Sequence, residues 1–169
     1  SSFLSACALT GVEPTWLYGK SENLLEYSFD KAELTDVLVK ENLVAVYITS
    51  PDYLGNRANI AEIADICHAH GALLIVDNAH GAYLAFTRQN LHPLESGVDL
   101  CVESAHKTLP CLTGTAYLHI GKNAPDFLVK NANYALNLFA STSPSYLLIS
   151  SLDRFNGVAE TFAKKVKTC

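Results

Sequence analysis

Methionine is absent from the sequence, charged residues are only 17% of it, and no apolar run is both long enough and free enough of charge to cross a bilayer. A membrane span is therefore excluded. Clustered basic charge is missing too. The net charge is -5, and the one lysine run, Lys164, Lys165 and Lys167, reads as a solvated helix end, so a nucleic-acid partner is not expected. The five cysteines, Cys7, Cys67, Cys101, Cys111 and Cys169, are odd in number and include no CxxC pair, which argues against a zinc or redox site. They read as buried thiols of a reducing, cytoplasmic compartment. Neither GxGxxG nor GxSxG occurs, which removes the usual dinucleotide-binding and hydrolase openings. The N-terminus lacks both an initiator methionine and the pattern of a signal peptide, and the sequence is expected to be a piece of something longer. What is present is 49% hydrophobic residues in 169, enough for one sizeable core.

Hydrophobic periodicity alternates helix and strand, the pattern of an α/β domain with a mostly parallel sheet. Helices are predicted over Ser2 to Leu9, ended by Gly11, and from the Asp30/Glu33 capping box to about Lys40. A third is opened by Asn59 with Glu62, carries Ile60, Ile63, Ala64 and Cys67 on one face and stops at Gly71. A last one runs from about Ser145 towards Lys167 and tolerates Gly157. Strands are predicted at Thr15 to Tyr18, Leu43 to Thr49, Ala72 to Val76, Val98 to Val102 and Thr115 to Ile120, with a polar loop from Glu103 to Gly114. Ala72 to Val76 is wholly apolar and reads as buried on both faces. No repeat or linker composition interrupts the chain, so one domain, or part of one, is expected.

Two loops stand just beyond apolar strands, where open α/β sheets bind ligands. Val76-Asp77-Asn78-Ala79-His80-Gly81 puts a carboxylate and an imidazole at one strand end. Ser104-Ala105-His106-Lys107-Thr108-Leu109-Pro110 puts a lysine among hydroxyls and a histidine at a later one. Asp77 and His80 could equally cap their loop, and a lone loop lysine is ordinarily a solvated charge. Together, an Asp at one strand end and a Lys at a later one match what pyridoxal 5'-phosphate requires: an amine to hold the aldehyde as an imine, and a carboxylate to keep the pyridine nitrogen protonated. Ser104 and His106 would offer donors to the phosphate, and the small Ala79 would let the ring approach the backbone. Other signals are weaker. Gly19-Lys20-Ser21 has the tail of a P-loop, but Pro14 stands where the first glycine is needed and Trp16, Leu17 and Tyr18 would fill the loop. His68 and His70, two apart on a helix, do not face one another, so helix-end interactions are expected there and no metal site.

These loops, with Ile48-Thr49-Ser50-Pro51-Asp52-Tyr53-Leu54-Gly55 and Ser141-Thr142-Ser143-Pro144-Ser145-Tyr146, occur in an order that resembles the large domain of the Orn/Lys/Arg decarboxylases, in their shorter bacterial arginine/lysine branch. The resemblance covers nearly the whole chain, and its most specific part is the Ser-x-His-Lys-Thr-Leu-Pro block followed by Leu112-Thr113-Gly114. It implies a three-layer α/β sandwich of the fold-type-I, aspartate-aminotransferase kind, incomplete over 1–169. It also implies a pyridoxal-phosphate lyase that decarboxylates arginine, lysine or ornithine. By the same resemblance Lys107 forms the internal aldimine, Asp77 pairs with the pyridine nitrogen, His80 lies near the ring hydroxyl, and Ser104 and His106 bind the phosphate. Ser141 and Ser143 reach the phosphate in the neighbouring subunit, which implies a homodimer with a shared active site.

Two positions depart from the family pattern: Asp52, where Thr is usual, and Asn78, where Glu is frequent. The family's upstream glycine- and serine-rich phosphate loop, its ring-stacking histidine and its small C-terminal domain find no counterpart in the sequence. Two other readings stay open: an α-oxoamine synthase or other lyase of the same fold, and a catalytically silent fragment. The His-Lys-Thr-Leu-Pro continuation, in place of a glycine-rich one, speaks against the synthase.

Overall fold

The computed structural model describes residues 2–23 and 26–168. Two of its helices bury the faces that periodicity picks out, and the first of them begins at its expected cap. The N-cap Asp30 accepts the Ala32 and Glu33 backbone N–H groups and starts α2, Lys31–Lys40, which buries Leu34 and Leu38. Helix α3, Ile60–Ala69, buries the expected stripe of Ile60, Ile63, Ala64 and Cys67. Asn59 precedes it without a side-chain cap bond and instead donates to Glu62. The chain reverses at Gly71, whose φ of 73° favours glycine. Helix α1 spans Ser2–Thr10.

The main sheet has four strands in sequence order: β3, Ala45–Thr49; β4, Leu73–Asp77; β5, Leu100–Glu103; and β6, Tyr117–Ile120. The first three are parallel, with Thr49 beside Asp77 and Asp77 beside Val102; β6 returns antiparallel to β5. Val46, Ile48, Leu74, Val76 and Cys101 pack one face against α2 and α3. On the other face, α1 approaches β3 through Phe3, whose ring stacks on Tyr47 at 4.1 Å between centroids. A second apolar cluster joins Ala82 of the 3-10 turn Ala82–Phe86, Ala105 of the short α4, Ala105–Thr108, and Phe155.

Several expectations are corrected. Strand β4 is buried on one face only: Leu74 and Val76 are inaccessible, whereas Leu73, Ile75 and Asp77 are half-buried because no second helix pair covers their side among the described residues. Thr15 to Tyr18 does not form a strand. Leu17 packs into the core while Trp16 and Tyr18 point outward, and no neighbouring strand accepts the backbone among the described residues. The chain instead forms a two-stranded antiparallel ribbon, β1, Lys20–Asn23, with β2, Glu26–Ser28. The predicted last helix is two, α6, Tyr146–Asn156, and α7, Ala159–Thr168, divided at Gly157. The break lets Phe155 and Phe162 both meet Phe86 edge-on, at 5.6 and 5.3 Å. An additional helix, α5, Asp126–Phe139, buries none of its residues. Cys7, Cys67 and Cys101 are buried free thiols, Cys111 is a half-buried one, and Cys169 lies outside the described residues. Among the described residues, no helix is long and apolar enough to cross a membrane.

Candidate active site

Parallel strands β4 and β5 end side by side, so the residues that follow each are delivered to one edge of the sheet. Asp77 closes β4 on the half-open face. Its Oδ1 accepts the Ala79 backbone N–H at 3.0 Å, and its Oδ2 accepts the Tyr47 hydroxyl at 2.7 Å. Tyr47 escapes the sequence reading, because it lies 30 residues from Asp77 and is joined to it only through the β3/β4 register. Burial, and then the bond to Asp77, push the Tyr47 hydroxyl well above the ordinary tyrosine range, so it remains a proton donor.

The next residue, Asn78, turns to the closed face and is fully buried. Its Nδ2 donates to Glu103 Oε2 at 3.0 Å; His92 Nε2 meets the same oxygen at 2.8 Å, and His119 Nε2 meets Oε1 at 3.0 Å. Burial alone would raise the Glu103 carboxyl. The hydrogen bonds that His119 and His92 donate outweigh it and hold the group down to about 2. None of this network was legible in the sequence, where the three partners of Glu103 are scattered over 42 positions from Asn78 to His119 and no motif links them. The His92, Glu103 and His119 ligand atoms lie within 4.8 Å of one another, close enough to hold a metal ion. However, His92 Nδ1 accepts the Leu94 N–H, which leaves its proton on Nε2, pointed at Glu103. The cluster is a buried carboxylate satisfied by three donors.

This environment accounts for the departure at Asn78. A carboxylate there would face the Glu103 carboxylate at hydrogen-bond distance inside the protein, and like charges so placed repel strongly. Gly81 belongs to the same arrangement: a Cβ on it would come within 2.0 Å of Asn78 Oδ1 and 2.7 Å of Pro51 Cδ, so no larger residue closes this turn.

Lys107 lies in α4, directly after β5, with its side chain exposed. Its Nζ is 3.2 Å from His80 Nε2, and the Tyr53 ring meets the His80 ring edge-on at 5.3 Å. The structure thus joins the Asp77-to-His80 loop to the lysine turn. Ser104 is the N-cap residue of α4 and its side chain makes no capping bond. His106 Nδ1 donates to the Thr115 carbonyl at 2.9 Å, so its other nitrogen, Nε2, is the one left to meet a ligand. Ala79 is half-buried beside Asp77. Ser141 and Ser143 stand apart, in an exposed segment between α5 and α6, where the Ser143 N–H donates to Ser141 Oγ. Of the two helix histidines, His70 behaves as expected, its Nδ1 bonded to the Ile66 carbonyl at the helix end, whereas His68 Nε2 reaches across to buried Asp99 at 2.9 Å. Lys20 of the would-be P-loop pairs with Asp30.

The family model described as Orn/Lys/Arg decarboxylase, major domain, matches residues 2–167. Among curated proteins, the uncharacterized protein YaaO of Bacillus subtilis is 34% identical over 90% of this chain and 32% of its own length. An arginine decarboxylase of Halalkalibacterium halodurans is 28% identical over 90% of this chain and 31% of its own. The chain therefore spans about a third of the length of these relatives. Among solved structures, a PLP-bound C-S lyase from Staphylococcus hominis matches with a TM-score of 0.68, at 14% identity, over 97% of this chain and 42% of that one. Apo CalE6, a methionine gamma lyase from Micromonospora echinospora, matches with a TM-score of 0.66 at 20% identity over 93% of this chain and 39% of that one. Both are similar in fold, which is that of the fold-type-I pyridoxal-phosphate enzymes.

Proposed function

The chain belongs to the Orn/Lys/Arg decarboxylase family through its major domain, and from that premise we propose that its strand-end cluster serves the decarboxylation of a basic amino acid: arginine, lysine or ornithine. The cofactor is pyridoxal phosphate. One observation carries the reading. Asp77 ends one of two adjacent parallel strands and Lys107 follows the other, and Lys107 Nζ lies 3.2 Å from His80 in the loop after Asp77.

The donor set fits the cofactor. Asp77 uses one lone-pair site on each oxygen and keeps the others for a ring N–H, Ser104 has a hydroxyl free of capping, and Lys107 presents an exposed primary amine. Lys107 would hold the aldehyde, Asp77 the ring nitrogen, Ser104 and His106 the phosphate, with Ala79 leaving room for the ring. When bound, the cofactor supplies an electron sink for the pair left at the α-carbon as the carboxylate departs as carbon dioxide. The protein's part is to place and protonate. The Asp77 carboxylate holds a proton at the ring nitrogen, and His80 Nε2 takes or returns one at Lys107 Nζ.

Ser141 and Ser143 are assigned to the neighbouring subunit's cofactor phosphate. The apolar side chains that α5 leaves exposed, among them Phe127, Leu138 and Phe139, support a homodimer. The four free thiols among the described residues fit a cytoplasmic location. The test is release of carbon dioxide from arginine, lysine and ornithine, compared between the chain and Lys107→Ala. Release from one of the three that Lys107→Ala abolishes supports the proposal; release unaffected by the substitution sinks it.

A further inference from the structure

Asp77 is gripped from two directions. The Ala79 N–H holds Oδ1 from its own loop, and the Tyr47 hydroxyl holds Oδ2 from the adjacent strand. An aspartate on a half-open strand end would otherwise turn freely about its side-chain bonds. Tyr47 is itself held, because Phe3 lies flat on its ring, the planes 17° apart, and the parallel register fixes its strand beside β4. Both bonds leave outward lone pairs on the carboxylate, so the grip orients the group without consuming it.

We propose that Tyr47 is a positioning residue for Asp77: its hydroxyl holds the carboxylate in the one orientation that meets the cofactor's ring nitrogen, and so strengthens cofactor binding through that nitrogen alone. The inference rests on the cofactor reading above. It assigns to a residue outside the recognisable motifs a share in pyridoxal-phosphate affinity. The preorganised carboxylate has less freedom to lose on binding, and that is the source of the gain.

Tyr47→Phe keeps the ring and its stacking on Phe3 and removes one oxygen. The experiment compares the chain and this variant for binding of pyridoxal phosphate and of its carbocyclic analogue, in which the ring nitrogen is replaced by CH. Loss of one hydrogen bond predicts that the variant binds pyridoxal phosphate about three- to tenfold more weakly and the analogue within about twofold of the parent. Equal weakening for both ligands would mean that Tyr47 merely supports the local fold, and would overturn the proposal. Tighter binding of pyridoxal phosphate by the variant would also overturn it, by showing that the hydroxyl competes with the ring nitrogen for Asp77. If the parent chain binds the analogue as well as it binds pyridoxal phosphate, Asp77 does not meet the ring nitrogen, and the cofactor reading falls together with the inference.

Discussion

The two faces of the main sheet are built from the same strands and do different work. On the face covered by α2 and α3, Leu74, Val76 and Cys101 have no accessible surface. On the other, Val102 and Leu118 keep 42% and 37% of theirs. The acidic groups divide the same way. Glu103 lies on the closed face with both oxygens taken by Asn78, His92 and His119; Asp77 lies on the half-open face with lone pairs to spare. A carboxylate that is fully satisfied inside a protein fixes structure, and one that is oriented but incompletely satisfied is ready for a ligand. Glu103 ties the ends of β4, β5 and β6 to the His92 loop, and Asp77 and Lys107 stand on those tied ends.

Substitutions can break this contrast or sharpen it. Leu74→Ala, on the closed face, should cost about 3 kcal/mol of unfolding free energy in urea titration, since the emptied space has packed neighbours on all sides. Glu103→Ala should cost about 2 to 3 kcal/mol at neutral pH, because it strands the buried donors of Asn78 and His92 and the half-buried one of His119. The carboxyl is held at about 2 in the folded chain, below its unfolded value of about 4.3, so its stabilisation is complete above about pH 5 and is lost as pH falls towards 2. The difference in melting temperature between the parent and Glu103→Ala should accordingly shrink across that window; a constant gap would show that the charge is not what stabilises. Asn78→Asp places a second carboxylate beside Glu103 and should cost about 1 to 2 kcal/mol at pH 7, relieved in acid as the pair takes up a proton. Val102→Ala, on the half-open face, should stay below about 1 kcal/mol. Equal costs for Leu74→Ala and Val102→Ala in the same titration would erase the distinction between the faces.

Local signals were legible in the sequence and long-range ones were not. Asp30 caps α2 and the Ile60, Ile63, Ala64, Cys67 stripe is buried because caps and helical periodicity act within a few residues. The division at Gly157 depends on where Phe86 sits, and a helix tolerating one glycine looks the same in sequence as a helix ending there. The stretch that forms α5 carries Asn131, Asn133 and Asn137, weak helix formers that blur its pattern, and buries nothing to reveal a face. At the site, strand ends and family-like motifs point to Asp77, His80 and Lys107, and the structure brings His80 and Lys107 into contact. Tyr47 and the Glu103 network needed the strand register, which no single segment encodes. The apolar run of β4 likewise suggested burial on both faces, whereas what covers a strand is decided by other elements.

On the function proposed above, the half-open face and its edge form a pyridoxal-phosphate site with Lys107 as its amine. It is tested most directly by incubating the chain with pyridoxal phosphate, reducing with borohydride and locating the added mass by peptide mapping. One adduct, on Lys107, is the expected result. Adducts spread over exposed lysines such as Lys40 and Lys130, with no preference for Lys107, would contradict it.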